Sequence, residues 1–108
     1  MISIRSESEF WEELDMLNPD AIKFDGPGDS DFFDSCIVGY AKRINLSPVL
    51  VYDERKMVDR MVFGHGMSYN DAVEYLEFNT FGAYFGENTP LILTTMDRDL
   101  TSPNIETP

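Results

Sequence analysis

A chain of 108 residues holds 20 Asp and Glu against 8 Lys and Arg, a formal charge of −12. That length supports one domain with one core, and so few cations cannot neutralise a run of phosphates, which argues against direct nucleic-acid binding. No apolar stretch approaches the roughly 18 residues of a membrane helix. The opening MISIRSESEF has no signal-peptide core, and the single Cys36 has no internal disulfide partner, so a reducing cytoplasm is the expected compartment.

Taken in chain order, residues 1–5 alternate apolar and polar side chains and read as a short edge strand. Ser6-Glu7-Ser8-Glu9 matches a capping box, in which Ser6 accepts from the Glu9 N–H and Glu9 reaches back. A helix over 7–17 follows. Phe10, Trp11, Leu14 and Leu17 share one face, and Glu9, Glu12, Glu13 and Asp15 occupy much of the rest. Trp11 reads as a core anchor, with a partner contact as its alternative. Asn18-Pro19 ends the helix, because proline restricts the residue before it. Residues 25–31 form a loop by composition and bring Asp29, Asp31 and Asp34 close together. The spacing invites a calcium reading but lacks the glycine and terminal glutamate of an EF-hand loop, so a solvated acidic loop is preferred.

Residues 31–43 fit a helical stripe and a buried strand about equally; Ile37, Val38 and Gly39 favour a strand over 36–42. Residues 45–48 read as a connection and 49–52 as the clearest strand, so the two strands form an antiparallel hairpin. Asp53 is a good N-cap for a helix over 54–63, with Met57, Val58, Met61 and Val62 on one face. Gly64-His65-Gly66 breaks it, and His65 reads as a turn residue rather than a general base.

Ser68 caps a third helix over 69–80. Tyr69, Ala72, Val73, Leu76 and Thr80 line one face, and Tyr75 and Phe78 widen the apolar share, so cover on a second side is expected. Asp71, Glu74 and Glu77 repeat every three residues along the remaining face, where neighbours lie about 5–6 Å apart and repel. Folding does not require that row, which makes it a candidate contact stripe beside the plainer reading of a solvated face. Residues 81–86, FGAYFG, read as a helix end packed hard against the sheet, or as an aromatic wall presenting Tyr84 and Phe85. They make neither a GxGxxG nor a P-loop. Residues 91–93 are the last strand, and 96–108 a loosely held tail.

Tyr52-Asp53-x-x-Lys56, Gly66-Met67-Ser68-Tyr69-x-x-Ala72, Glu74-Tyr75, Glu77-Phe78-Asn79, Gly82-Ala83-Tyr84 and Gly86-Glu87-x-Thr89-Pro90 form a recurring pattern. With Asp34, Ile37-Val38-Gly39 and Pro48-Val49-x-Val51-Tyr52 it covers about residues 30–93. It resembles a family of small acidic proteins encoded in phages and prophages. The motif marks the family and carries no assigned chemistry, so no catalytic residue is transferred. The resemblance implies an accessory protein that works in the host cytoplasm on host machinery or antiviral defence.

The expected fold is α+β: a single domain over 1–95, with a small antiparallel sheet of three to four short strands packed against two to three helices. The expected function is non-enzymatic binding. An acidic surface that stands in for nucleic acid would inhibit a basic host protein, such as a nuclease or a CRISPR effector, in an anti-CRISPR or anti-restriction role. The residues expected at that contact are Glu9, Glu12, Glu13, Asp29, Asp31, Asp34, Asp71, Glu74, Glu77, Tyr84 and Phe85. No cofactor, metal or membrane is expected, and a homodimer stays open. The alternative is a small-ligand or nucleotide-binding module built on FGAYFG and the hairpin.

Overall fold

The computed structural model describes residues 6–96. The strand expected over 1–5 and the tail beyond Met96 lie outside them. Among the described residues the order is helix α1 (Glu7–Leu17), strand β1 (Ile37–Arg43), strand β2 (Leu46–Asp53), helix α2 (Glu54–His65), helix α3 (Tyr69–Leu76) and strand β3 (Leu91–Leu93). This is an α+β fold. No described helix is long and apolar enough to cross a membrane.

The sheet order is β1-β2-β3, with β1 antiparallel to β2 and β3 parallel to β2. The sheet is therefore mixed, which corrects the antiparallel expectation. The reason is connectivity. A short turn joins β1 to β2, whereas α2 and α3 intervene before β3, and a crossover of that length returns the chain parallel. The hairpin is tighter than expected: β2 already starts at Leu46, and Asn45 takes φ 63°, a left-handed conformation that asparagine tolerates. The register slips between Ala41 and Arg43, opposite the stretch that holds Pro48. A bulge there spares the sheet the N–H that proline lacks.

The core gathers on one face of the sheet. Leu50 and Tyr52 of β2 meet Leu14 of α1, Met57 and Met61 of α2, and Ala72 and Leu76 of α3, together with Phe24, Phe33 and Cys36. Three buried polar groups are tied into this frame. The Tyr52 hydroxyl accepts from the Phe24 N–H at 2.9 Å. Asp53 caps α2 by accepting from the Lys56 N–H at 3.0 Å. The Asn18 amide donates to Pro48 O at 2.8 Å and Asn88 Oδ1 at 3.0 Å, and its oxygen accepts from the Asp20 N–H at 3.1 Å. Asn18 therefore does more than end α1: it clasps the helix to β2 and to the turn before β3.

The helix ends follow local chemistry. Ser6 and Glu9 complete the expected capping box. Gly66 closes α2 at φ 68°. His65 belongs to the last turn of α2 rather than to a loop, with its ring 4.8 Å from that of Phe32. Gly64 is also inside the helix, where a Cβ would stand 3.0 Å from the Phe32 ring. The third helix is α only to Leu76; Glu77–Phe81 form a π-helical turn. The Asn79 amide donates to Tyr75 O across that turn, and Thr80 faces inward.

Candidate functional site

The expected contact residues separate into groups with different surroundings. On α1, Glu9 is taken up by the capping box: it accepts from the Ser6 N–H at 2.9 Å. Glu13 accepts from the Tyr40 hydroxyl at 3.0 Å. Glu12 is exposed. In the loop, Asp29 accepts from the Asp31 N–H at 2.9 Å, an Asx turn. The Lys23 ammonium lies 3.3 Å from Asp31 Oδ1 and 3.1 Å from Asp34 Oδ2. Burial pulls the Lys23 pKa down, but the hydrogen bonds to Asp34 and Asp31 outweigh it and leave it raised. These carboxylates thus hold the loop against the chain leading to Phe24. Among the described residues, no group of three or more His, Cys, Asp or Glu is placed to hold a metal ion.

The α3 face is built differently. Ser68 accepts from the Asp71 N–H at 3.1 Å and starts the helix. Ala72 and Leu76 are buried, which turns Asp71, Glu74 and Glu77 to solvent. Phe78 stands among them, 80% exposed. It follows Glu74 by four residues and Asp71 by seven, so it continues their stripe. Covering a phenylalanine side chain contributes about 1.5–3 kcal/mol, which the fold forgoes here. The expectation that Phe78 is covered on a second side of the helix is corrected. Tyr69, expected on the buried face, is 57% exposed at the first helical position. The signal for Phe78 was present in the sequence, because its spacing from the acids matches a shared face. Its aromatic character led to the buried assignment.

FGAYFG is not packed hard against the sheet throughout. Tyr84 is 78% and Phe85 57% exposed. The turn is held by Thr89, whose hydroxyl accepts from the Phe85 N–H and donates to Gly86 O, both at 2.7 Å, with Gly86 at φ 96°. Arg43 at the hairpin tip donates to Glu87 O at 2.9 Å and to Ser47 O at 2.8 Å. Turn and hairpin therefore share a cavity of about 530 Å³, walled by Leu46, Phe81, Tyr84, Pro90 and Leu91. Phe85 faces a separate cavity of about 390 Å³ beside Phe24 and Thr80. The two aromatics that the sequence places side by side serve different surfaces.

No family model, curated protein or solved structure matches the chain. Function must be argued from these residues. The candidate the geometry favours is the α3 face: Asp71, Glu74 and Glu77 around the exposed ring of Phe78.

Proposed function

We propose that the protein is a non-enzymatic binding protein that docks its α3 face on a basic surface of a nucleic-acid-handling host protein. The observation that carries this reading is Phe78, exposed among carboxylates for which the described residues supply no salt bridge. An aromatic anchor surrounded by charge suits an interface whose centre is desolvated and whose rim selects the partner's sign. The −12 charge of the chain steers it toward cationic clefts. The resemblance to phage-encoded acidic proteins supplies the setting: inhibition of a host nuclease or defence effector in the host cytoplasm, of anti-CRISPR or anti-restriction type.

The test is capture of host protein at low and high salt, by the native chain and by Asp71→Lys/Glu74→Lys/Glu77→Lys. The expected result is a basic nucleic-acid-binding protein retained at low salt, released at high salt, and lost with the triple variant. Retention insensitive to both salt and charge reversal would overturn the reading.

A second reading, a small-ligand module, is favoured by one observation: FGAYFG and the hairpin tip line an open cavity of about 530 Å³. Nucleotides and small apolar ligands that bind only the native state raise the melting temperature. A stabilisation removed by Tyr84→Ala would move the function to that cavity.

A further inference from the structure

Between the first turn of α1 and the start of β1 lies a cavity of about 250 Å³ that the α3 reading does not use. Its walls are the rings of Phe10 and Trp11, the side chains of Glu7 and Asp34, and Ile37, Val38 and Gly39 of β1. The rings stand edge to face, 5.2 Å between centroids and 85° between planes, so they form adjoining walls rather than a stack.

Three observations give this cavity a chemical preference. First, Trp11 and Asp34 already accommodate a cation on another side: the Lys23 ammonium is 6.0 Å from the Trp11 centroid and 3.1 Å from Asp34 Oδ2. Lys23 belongs to the neighbouring cavity behind Trp11, with Leu14 and Ala21, and the described residues lining this one include no base. Second, Asp34 Oδ1 is buried and has no hydrogen-bond partner among the described residues. A buried carboxylate oxygen without a donor is a cost to the fold that an incoming donor relieves. The Asp34 side chain as a whole stays 35% exposed and lines the cavity. Third, among the described residues the local charge is unbalanced: Glu7 and Asp34 line the cavity, and Asp34 shares the Lys23 ammonium with Asp31.

We infer that this cavity takes the guanidinium of an arginine side chain presented by the protein partner. A flat cation can lie on the Trp11 face while its N–H groups donate to Asp34 Oδ1 and Glu7. A lysine ammonium offers no flat face and holds its water more tightly. The occupant's source rests on the proposed basic protein partner; the guanidinium chemistry does not.

Trp11 is the only tryptophan, so its fluorescence in the full chain reports this wall directly. The probe is a blocked Gly-Arg-Gly peptide, compared with the same peptide carrying neutral citrulline, at physiological salt. The arginine peptide is expected to give a saturable change in emission, and citrulline one at least about tenfold weaker, the scale of one charged hydrogen bond. Asp34→Asn should weaken the response about tenfold. Glu7→Gln, which alters an exposed residue outside the core, should weaken it about threefold, and Asp59→Asn on α2 should leave it unchanged.

Equal responses to arginine and citrulline, or full responses in both Glu7→Gln and Asp34→Asn, overturn the assignment. So does the absence of any response. Tighter binding of free arginine than of the blocked peptide overturns the protein source. The peptide assay involves neither the α3 face nor the partner, so failure here and failure of the docking reading are separate results.

Discussion

The loop of Asp29, Asp31 and Asp34 and the helix face of Asp71, Glu74 and Glu77 hold the same number of carboxylates, but their surroundings are opposite. In the loop, one oxygen caps a turn and two others share the Lys23 ammonium. On α3, the only bond these side chains or their cap supply among the described residues is the one to Ser68 that starts the helix, and Glu77 sits at the C-terminal end, where the helix dipole disfavours an anion. The loop acids are thus part of what holds the fold. Asp71 suits the N-terminal end of the helix, whereas Glu74 and Glu77 extend the row beyond what the helix favours, and that surplus is why the docking surface is assigned to this face. Carboxylate spacing alone did not distinguish the two; the presence of a local cation did.

The largest expected effect breaks the loop side of this comparison. A Cβ at Gly26 would stand 2.1 Å from Phe32 Cβ, so Gly26→Ala must displace the loop that carries Asp29 and Asp31. The expected loss is about 3 kcal/mol in urea unfolding, with partner capture by the folded fraction unchanged. Capture that fell in proportion to the loop's displacement would move the contact to the loop.

Alkaline titration loosens the same side without mutation. Burial pushes Tyr52 from 10.0 up to about 12, against a smaller lowering by its bond from Phe24. Between those values the unfolded chain releases the proton and the folded chain keeps it, so stability falls as pH rises, by about 2–3 kcal/mol in all. Lys23, also raised in the fold, adds in the same direction: its contribution is complete below 10.5 and is lost as pH passes its folded value. Urea midpoints followed upward in pH should show the decline, and Tyr52→Phe should remove most of it while keeping the Lys23 share. An unchanged slope in Tyr52→Phe would assign the decline elsewhere.

The smallest effect is the sharpest comparison. Asp31→Asn/Asp34→Asn should lose about 0.2–1 kcal/mol, the range of a partly exposed ion pair. Glu74→Gln/Glu77→Gln, which leaves Asp71 at the helix N-terminus, should gain about 0.2–0.5 kcal/mol for each repulsion removed. Opposite signs from equivalent neutralisations would establish that one group supports the fold and the other does not. A loss in both would place hidden partners on α3.

Much of the local structure was legible because it depends on neighbours in sequence. The Ser6–Glu9 box, the Asp53 and Ser68 caps, the Gly66 stop and the hairpin all followed from short-range chemistry. The direction of β3 was not legible in its own apolar residues, because only the crossover through α2 and α3 sets it. The π-helical turn was equally hidden: Asn79 and Thr80 carry no local mark of it. The candidate site divided along the same line. The acidic row and its spacing could be read directly, but the exposure of Phe78 and the pairing of Lys23 with Asp31 and Asp34 depend on how distant segments pack.

By itself, then, the sequence determined charge, caps and the order of elements, since each is set within a few residues. Tertiary structure alone decided which carboxylates meet a cation, which aromatics stay in water, and that Trp11 and Asp34 face one cavity. Those outcomes depend on desolvation and on distances between residues far apart in the chain, quantities that a linear pattern does not contain.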